Sequence, residues 1–352
     1  MIAKPLVIYA PNVGAGGGLV LLRELLAATW PVPVTAILDQ RARTALGKVG
    51  DAVAAHWAEP SVGGRWRAER RLADLTKAGT TVLCFHNLPP ILARRGQVFC
   101  YVQNAYVIGL IPTAGLGMRL RARIRIERLI ARRFRHRVDR YVVQTATMAD
   151  ALRHWYGDGV PPVDVLPFVA TDLLSGAQAG ARSEQAWDFL CVADGSLHKN
   201  HRGLFAAWRL LAEEGIRPSL AVTLHPERDA ALRDEIRELA ATGLRIVDLG
   251  QLPHAEILAA YRRAGALIFP SYAESFGIPL LEAQAAGLPI LASERDYVRD
   301  VCDPAETFDP ASPRSIARAV RRFLGCPARR GPLLSGEAFV TRLCDLAARN
   351  KA

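Results

Sequence analysis

The chain has no run approaching the roughly 18 uncharged apolar residues that a membrane-crossing helix needs, although half of its 352 residues are hydrophobic. That combination argues against helical membrane spans and leaves a large apolar inventory for buried cores. Cysteine is scarce: Cys84, Cys100, Cys191, Cys302, Cys326 and Cys344 are scattered, without metal-type pairs and mostly in apolar surroundings. They read as free core thiols of a reducing compartment rather than a disulfide framework. His198 and His201 are too isolated from other ligand types to argue for a metal. The first ten residues pass straight into an apolar strand without the architecture of a secretion signal, so the cytoplasm is the expected location.

What the chain has in excess is positive charge, and it is unevenly placed. Residues 1–170 hold 23 Lys+Arg against 11 Asp+Glu, and residues 171–352 hold 22 against 23, within a net charge of +11. The asymmetry suggests that the N-terminal half meets an anionic surface. Its densest stretch, Arg119 to Arg140, carries ten arginines against Glu127 and Asp139. Ile124, Leu129, Ile130 and Phe134 supply apolar positions, so a basic amphipathic helix is expected. It is either a solvated face or a surface that leans on anionic lipid through Arg121, Arg125, Arg128 and Arg132, with nearby tryptophans as anchors. No nucleic-acid reader motif accompanies it, and nucleic acid is not an expected partner.

A length of 352 residues suits two domains. Short apolar runs at 5–9, 34–38, 81–86, 98–103, 139–145 and 163–168 read as strands, as do 187–193, 219–224, 245–249, 265–269 and 288–292. Helices are expected at 19–29, 147–156, 204–214 and 313–323, and the arginine-rich residues 40–80, with Trp57 and Trp66, read as helical. The alternation implies an α/β fold of two Rossmann-like domains, 1–170 and 187–326. A Gly-, Ala-, Ser- and Gln-rich linker, 171–186, joins them, and 327–352 forms a tail.

Three places carry candidate chemistry. The first is the strand–loop–helix–strand unit from Gly265 to Ala292. Pro279 falls at the start of its helix, and Gly287 with Pro289 ends it. A helix start offers unpaired N–H groups to phosphate oxygens, while Glu274 and Glu282 are acceptors suited to hydroxyl groups. On spacing alone the pair fits a sugar nucleotide or, equally, a solvated loop acid and a dipole-stabilised helix acid. The second is the turn from Asp194 to Asn200, where Lys199 sits at a helix start. The third is the loop Pro11 to Gly18, in which Gly14, Gly16, Gly17 and Gly18 miss the dinucleotide spacing. His86 with Asn87, and Gln103 with Asn104, fall at strand C-terminal ends, where open α/β sheets bind ligands.

Glu274-Ser275-Phe276-Gly277-Ile278-Pro279-Leu280-Leu281-Glu282 with the Gly287-Leu288-Pro289 exit resembles the signature of group 1 retaining glycosyltransferases of the GT-B fold. His198-Lys199-Asn200 is similar to the same family's lysine turn. The resemblance covers roughly 187–325 and is diffuse before that. It implies that Glu274 contacts the transferred sugar and Glu282 the nucleotide ribose. Ser275, Phe276 and Gly277 would lie along the sugar and diphosphate, with Lys199 neutralising the diphosphate. Ser196, His198, Gly16 and Gly17 would complete the donor side, and the loop at Gly250 would hold the base. Ser196 stands where many relatives have arginine, with Arg202 nearby. Gln103-Asn104 replace the usual polar pair, so His86, Gln103 and Asn104 are the acceptor-side candidates.

The resemblance further implies a nucleoside-diphosphate sugar as substrate, with no separate cofactor. No Asp-x-Asp motif is present, so no metal is expected. The acceptor is expected to be a glycan, lipid-linked, in surface polysaccharide or lipopolysaccharide assembly. The protein is then expected at the inner membrane face, its C-terminal tail packed back on the N-terminal domain. The rival readings are a GT-B-fold sugar-nucleotide epimerase, and a non-catalytic basic protein binding lipid or nucleic acid.

Overall fold

Leu6–Ala10 (β1) buries all five of its side chains, which a strand can do only when both faces of its sheet are covered. The same holds for Leu220–Val222 (β9) and Ile290–Ser293 (β12). Parallel strands need crossover connections, and among the described residues helices supply the connections to and from these three strands, though none lies between 85 and 96. The computed structural model describes residues 5–50, 52–92, 95–169 and 184–326. Most of the expected linker (171–186) and the whole expected tail (327–352) lie outside these residues.

The N-terminal sheet contains β1, Val34–Asp39 (β2), Val53–Ala58 (β3), Thr81–Cys84 (β4), Gln97–Tyr101 (β5), Arg140–Val143 (β6) and Val163–Val165 (β7). Its order is β3-β2-β1-β4-β5-β6-β7, and every described pairing is parallel. Helices Gly17–Ala27 (α1), Arg43–Leu46 (α2), Val62–Leu75 (α3), Met118–Phe134 (α4) and Ala146–Tyr156 (α5) accompany it. The second sheet has the order β10-β9-β8-β11-β12-β13. Its remaining strands are Trp187–Cys191 (β8), Ile246–Asp248 (β10), Ala264–Phe269 (β11) and Glu306–Phe308 (β13). Around it lie His201–Glu213 (α6), Ala230–Ala241 (α7), His254–Arg263 (α8), Ile278–Ala285 (α9), Asp296–Arg299 (α10) and Pro313–Phe323 (α11). In each sheet the strand order reverses beside the first strand, between β1 and β4 and between β8 and β11. Those crevices are where such sheets bind ligands.

Two expectations change. Residues 40–80 are not helical throughout, because β3 lies within them and pairs with β2 from Val53 to Ala58. As an edge strand it fully buries only Val53 and Ala58, which hides its alternation among polar neighbours. The basic helix is also shorter than its run of arginines, ending at Phe134. Arg140 has left it for β6, where it holds Asp164 at 2.7 and 2.8 Å.

Each sheet is buried on both faces by its own apolar clusters. The halves touch at defined points: Tyr106 Oη lies 3.0 Å from His198 Nδ1, and the Thr147 N–H donates to Asp300 at 2.8 Å. Asn200 fixes the loops of the second half. Its backbone is left-handed (φ 61°). From there the buried side-chain amide donates to Pro270 O at 3.3 Å, after β11, and to Pro310 O at 2.7 Å, after β13. Gly203 leaves no room for a side chain beneath it.

Asn200→Ala removes both hydrogen bonds and places a Cβ-bearing residue without a local polar partner in the left-handed region. A loss of about 2–4 kcal/mol is expected in denaturant unfolding. A change within about 0.5 kcal/mol, the range of inert surface substitutions, would contradict the anchoring role.

Candidate functional site

The two loops that flank the β8–β11 crevice each deliver one charged side chain. Lys199 comes from the turn after β8 and Glu274 from the loop after β11, and Nζ and Oε1 stand 2.6 Å apart. Their side chains are only 16% and 10% exposed. Burial makes either charge costly alone, so each compensates the other. Nζ also lies 5.7 Å from the centre of the Phe269 ring, a cation–π distance. Beneath the pair, burial pushes the Cys191 thiol up to about 12, so it packs as a neutral group.

The Glu274 loop turns into α9 through Gly277, whose φ of 77° favours glycine. A Cβ there would crowd Leu280 Cδ1 at 3.1 Å. Pro279 occupies the first turn of α9, where its missing N–H costs nothing. One turn in, Glu282 is buried, with Oε1 2.7 Å from His254 Nε2 and Oε2 accepting from Tyr261 Oη at 3.0 Å. Burial, reinforced by the Glu282 charge, holds the Tyr261 hydroxyl protonated and donating. Each carboxylate oxygen has a second lone pair, which leaves Glu282 acceptor capacity for a further hydroxyl.

A cavity of about 320 Å³ opens against this cluster, lined by Asp194, Lys199, Arg228, Gln251, Leu252 and Pro279. Burial opposes ionisation of Asp194, but the Ser196 hydrogen bonds and the Lys199 charge outweigh it and hold its carboxyl below the usual range. Other candidates are placed differently. Ser196 stands on a separate cavity of about 200 Å³, with its N–H donated to Asp194 at 3.1 Å. Arg202 does not reinforce Lys199, because it faces Glu235 at 3.8 Å. Arg228 is the arginine on the Lys199 cavity. His198 faces Tyr106 of the other half (3.0 Å), and burial lowers its pKa, with the Lys199 charge adding to the effect.

The glycine loop of the N-terminal half meets the Glu274 loop directly. A Cβ on Gly17 would lie 3.1 Å from Ile278 Cδ1 at the start of α9, and one on Gly18 3.4 Å from Gln103 Oε1. Gly16 takes the left-handed turn into α1 (φ 71°). Thr145 Oγ1 donates to Ser275 O at 3.4 Å, and Phe276 is buried. Gln103 and Asn104 are aligned by Asn87, whose Oδ1 accepts both of their N–H groups at 2.6 and 2.8 Å. His86 stacks edge-on against Tyr9 at 4.8 Å and lines a cavity of about 580 Å³ in the N-terminal half.

Helix α4 contains seven arginines and one glutamate. Ile124 and Ala131 face inward, while Met118, Ile126 and Leu129 are 85%, 59% and 69% exposed on the opposite side. Arg121, Arg125 and Arg132 are on the exposed surface. Arg128 is turned inward, contrary to expectation. It donates to Tyr106 O at 2.7 and 2.9 Å and lies over the Trp155 ring. Arg132 stacks on the same ring at 3.9 Å.

Sequence reasoning did not single out Arg228, His254, Tyr261 or Tyr106 as site residues. Each acts across at least 21 residues or between the halves, and only the spacing of His254 and Tyr261 along one helix face hinted at a shared target. Among the described residues no group of three or more His, Cys, Asp or Glu side chains is placed to hold a metal ion.

The family profile described as "Glycosyl transferases group 1" matches residues 177–332. A D-inositol 3-phosphate glycosyltransferase of Geodermatophilus obscurus is 33% identical over 268 residues, which is 68% of this chain and 58% of that protein. The chain thus spans little more than half of that relative's length. Among solved structures, Anabaena HepE in complex with UDP-glucose superposes with a TM-score of 0.63 at 13% identity, covering 91% of this chain and 89% of that one. Sucrose-phosphate synthase of Thermosynechococcus elongatus gives 0.62 at 14% identity, covering 92% and 90%. At these identities the superpositions speak for the fold. The chain is related to the group 1 glycosyltransferases and has the GT-B fold of two Rossmann-like domains.

One pH effect follows from the base of the site. His201, the first residue of α6, is 3% exposed, and neither ring nitrogen has a hydrogen-bond partner. Burial depresses its pKa to about 4. An unfolded histidine near pH 6.5 takes up a proton that the folded one refuses. Its contribution is therefore present above about pH 6.5 and is lost as pH falls towards 4, a change on the order of 3 kcal/mol. His201→Leu should flatten the pH dependence of unfolding between those values, and an unchanged profile would contradict it.

Proposed function

We propose that this relative of the group 1 glycosyltransferases transfers a sugar from a nucleoside diphosphate to a glycan acceptor, with retention of anomeric configuration. The observation that carries the reading is the buried Lys199–Glu274 pair beside the start of α9, on the wall of the second half's crevice. A bound donor offers each member a new partner. The diphosphate gives Lys199 an anion, and the sugar hydroxyls give Glu274 donors. Charge that builds on the leaving diphosphate is met by Lys199 and by the amides around Ser275 and Gly277, fixed in place beforehand. Glu282, steadied by His254 and Tyr261, accepts from the ribose, and the Gln251–Leu252 loop borders the base.

Retention needs no enzyme nucleophile in this scheme. The leaving phosphate takes the acceptor's proton on the face that it vacates, while the acceptor approaches from the N-terminal half past Gly17, Gln103 and His86. The UDP-glucose held by the Anabaena neighbour supports a nucleoside-diphosphate hexose as the donor class. Turnover is expected without a divalent cation, the cationic role falling to Lys199.

Helix α4 supports a second element of the reading, contact with an anionic bilayer. Met118, Ala122, Ile126 and Leu129 form one outward strip at helical spacing, rimmed by Arg119, Arg121, Arg125 and Arg133. An apolar strip inside a cationic rim complements acyl chains beneath anionic headgroups. Surface polysaccharide assembly on a lipid-linked acceptor, at the inner membrane face, fits such a placement.

Lys199→Met and Glu274→Gln should each lower turnover by a factor on the order of 100 or more, the scale for losing one fixed stabilising group. Chelator should leave the native rate unchanged. Activity that survives either substitution, or that chelator abolishes and manganese restores, would count against the assignment.

Vesicle flotation tests α4 separately. The protein should float with phosphatidylglycerol-containing vesicles and not with phosphatidylcholine alone, and Ile126→Glu with Leu129→Glu should release it. Failure to float with either vesicle type would refute the bilayer contact, and equal flotation with both would refute its dependence on anionic lipid.

A further inference from the structure

Lys199 ends a single tight turn, Leu197–Lys199, and none of the turn's three side chains is fully buried. From its own half the turn is held by the neighbouring Asn200 amide and by the Tyr272 N–H, which donates to His198 O at 2.8 Å. Its other two residues are met from across the crevice. Tyr106 Oη lies 3.0 Å from His198 Nδ1, with the two rings edge-on at 5.6 Å. Gly115 packs so closely on Leu197 that a side chain there would collide with it. Tyr106 and Gly115 both belong to the segment between β5 and α4.

That segment is itself fixed. The Tyr106 N–H donates to Asn104 Oδ1 at 3.0 Å, and Tyr106 O accepts from Arg128 Nε and Nη2 at 2.9 and 2.7 Å. Arg128 lies over the Trp155 ring at 5.0 Å, and a Cβ on Gly109 would stand 2.9 Å from the same ring. Tyr106 is therefore a post, its backbone tied on both sides and its hydroxyl reaching out of the N-terminal half. Burial raises the pKa of that hydroxyl, with the Asp194 and Glu274 charges adding to the effect. It stays protonated and donates to His198, whose neutral ring accepts at Nδ1.

The bond matters because of what Lys199 must do. In the free protein Glu274 holds its Nζ at 2.6 Å. A diphosphate would draw the lysine away, and the turn would then lose the ion pair that joins it to the loop after β11. The Tyr106–His198 bond takes no part in that exchange, so it can keep the turn in place throughout. We propose that Tyr106 is a positioning residue: through His198 it holds the Lys199 turn from the opposite half while the lysine changes partner. The proposal rests on the transferase reading for the diphosphate, but the clamp on the turn stands apart from it.

The test joins hydrogen exchange to kinetics on the full chain. The Lys199 and Asn200 N–H groups are bonded within the turn, to Ser196 O at 2.9 Å and Leu197 O at 3.2 Å, so their exchange reports its opening. Tyr106→Phe keeps the ring and removes the hydroxyl. It should speed that exchange about three- to tenfold, as loss of one hydrogen bond implies, and leave the amides of α9 as in the native chain. Kinetics follow release of nucleoside diphosphate, by transfer to water, from UDP-glucose, GDP-mannose, ADP-glucose and dTDP-glucose. Tyr106→Phe should lower kcat by a similar factor and keep KM within about twofold. His198→Leu should reproduce both effects, and His198→Asn, whose amide takes the place of Nδ1, should restore most of the loss. In the His198→Leu background Tyr106→Phe should cost nothing further. Unchanged exchange in Tyr106→Phe overturns the clamp. Faster exchange with native kcat overturns the positioning role, and a rise in KM alone replaces it with a substrate contact. Multiplied losses in the double variant overturn the route through His198. Exchange as expected in a chain that neither binds nor turns over a sugar nucleotide overturns the transferase reading and leaves the clamp as a contact between the halves.

Discussion

Lys199 and Glu274 lie 75 residues apart in the chain and 2.6 Å apart in the fold. Neither belongs in a nearly buried position by itself, since an unpaired charge there costs several kcal/mol. What brings them together is the parallel sheet. β8 and β11 are neighbours in register, so the loops that leave their C-terminal ends emerge side by side at the reversal of strand order. Asn200 then ties these loops, and the one after β13, into a single support. The pair is held by covalent neighbours and hydrogen bonds rather than by its own attraction, so its members can exchange partners without the loops collapsing.

The two halves contribute unlike surfaces to one crevice. The C-terminal half supplies a small polar cavity with Lys199, Glu274 and a buried Glu282 whose carboxylate is already oriented. The N-terminal half supplies a larger, mainly apolar cavity, closed on one side by a cationic helix. Of the contacts between them, Gly17 against Ile278, Thr145 on Ser275 and Tyr106 on His198 fall at or next to the residues proposed to handle donor or acceptor, while Thr147 on Asp300 lies apart from them. Movement of one half against the other would therefore be felt first at the site.

Much of this was legible in the sequence. Apolar runs such as Leu6–Ala10 and Ala264–Phe269 announced buried parallel strands, and Gly277 with Pro279 announced a helix start, because local sterics decide those positions. The glutamate pair and His198-Lys199-Asn200 pointed to the candidate site through their resemblance to the family's motifs, since spacing alone fitted a solvated loop acid and a helix acid equally well. Strand β3 was missed since an edge strand need bury only part of each face. The inward turn of Arg128 onto Tyr106 and Trp155 was hidden because composition counts charges without saying where they point. His254 and Tyr261 were overlooked as partners of Glu282, and Arg65 as a partner of Asp39. Those contacts span 21 to 28 residues, and no local pattern encodes them.

The central claim is that the crevice beside Lys199 and Glu274 binds a nucleoside diphosphate through fixed protein charges. Calorimetric titration with UDP, GDP, ADP, dTDP and CMP, with and without chelator, addresses it most directly. Selective binding of one diphosphate, unchanged by chelator, is the result that the account predicts and would name the base that the Gln251–Leu252 loop accepts. Indifference to all five would contradict it and leave the basic face of α4 as the functional surface of the protein.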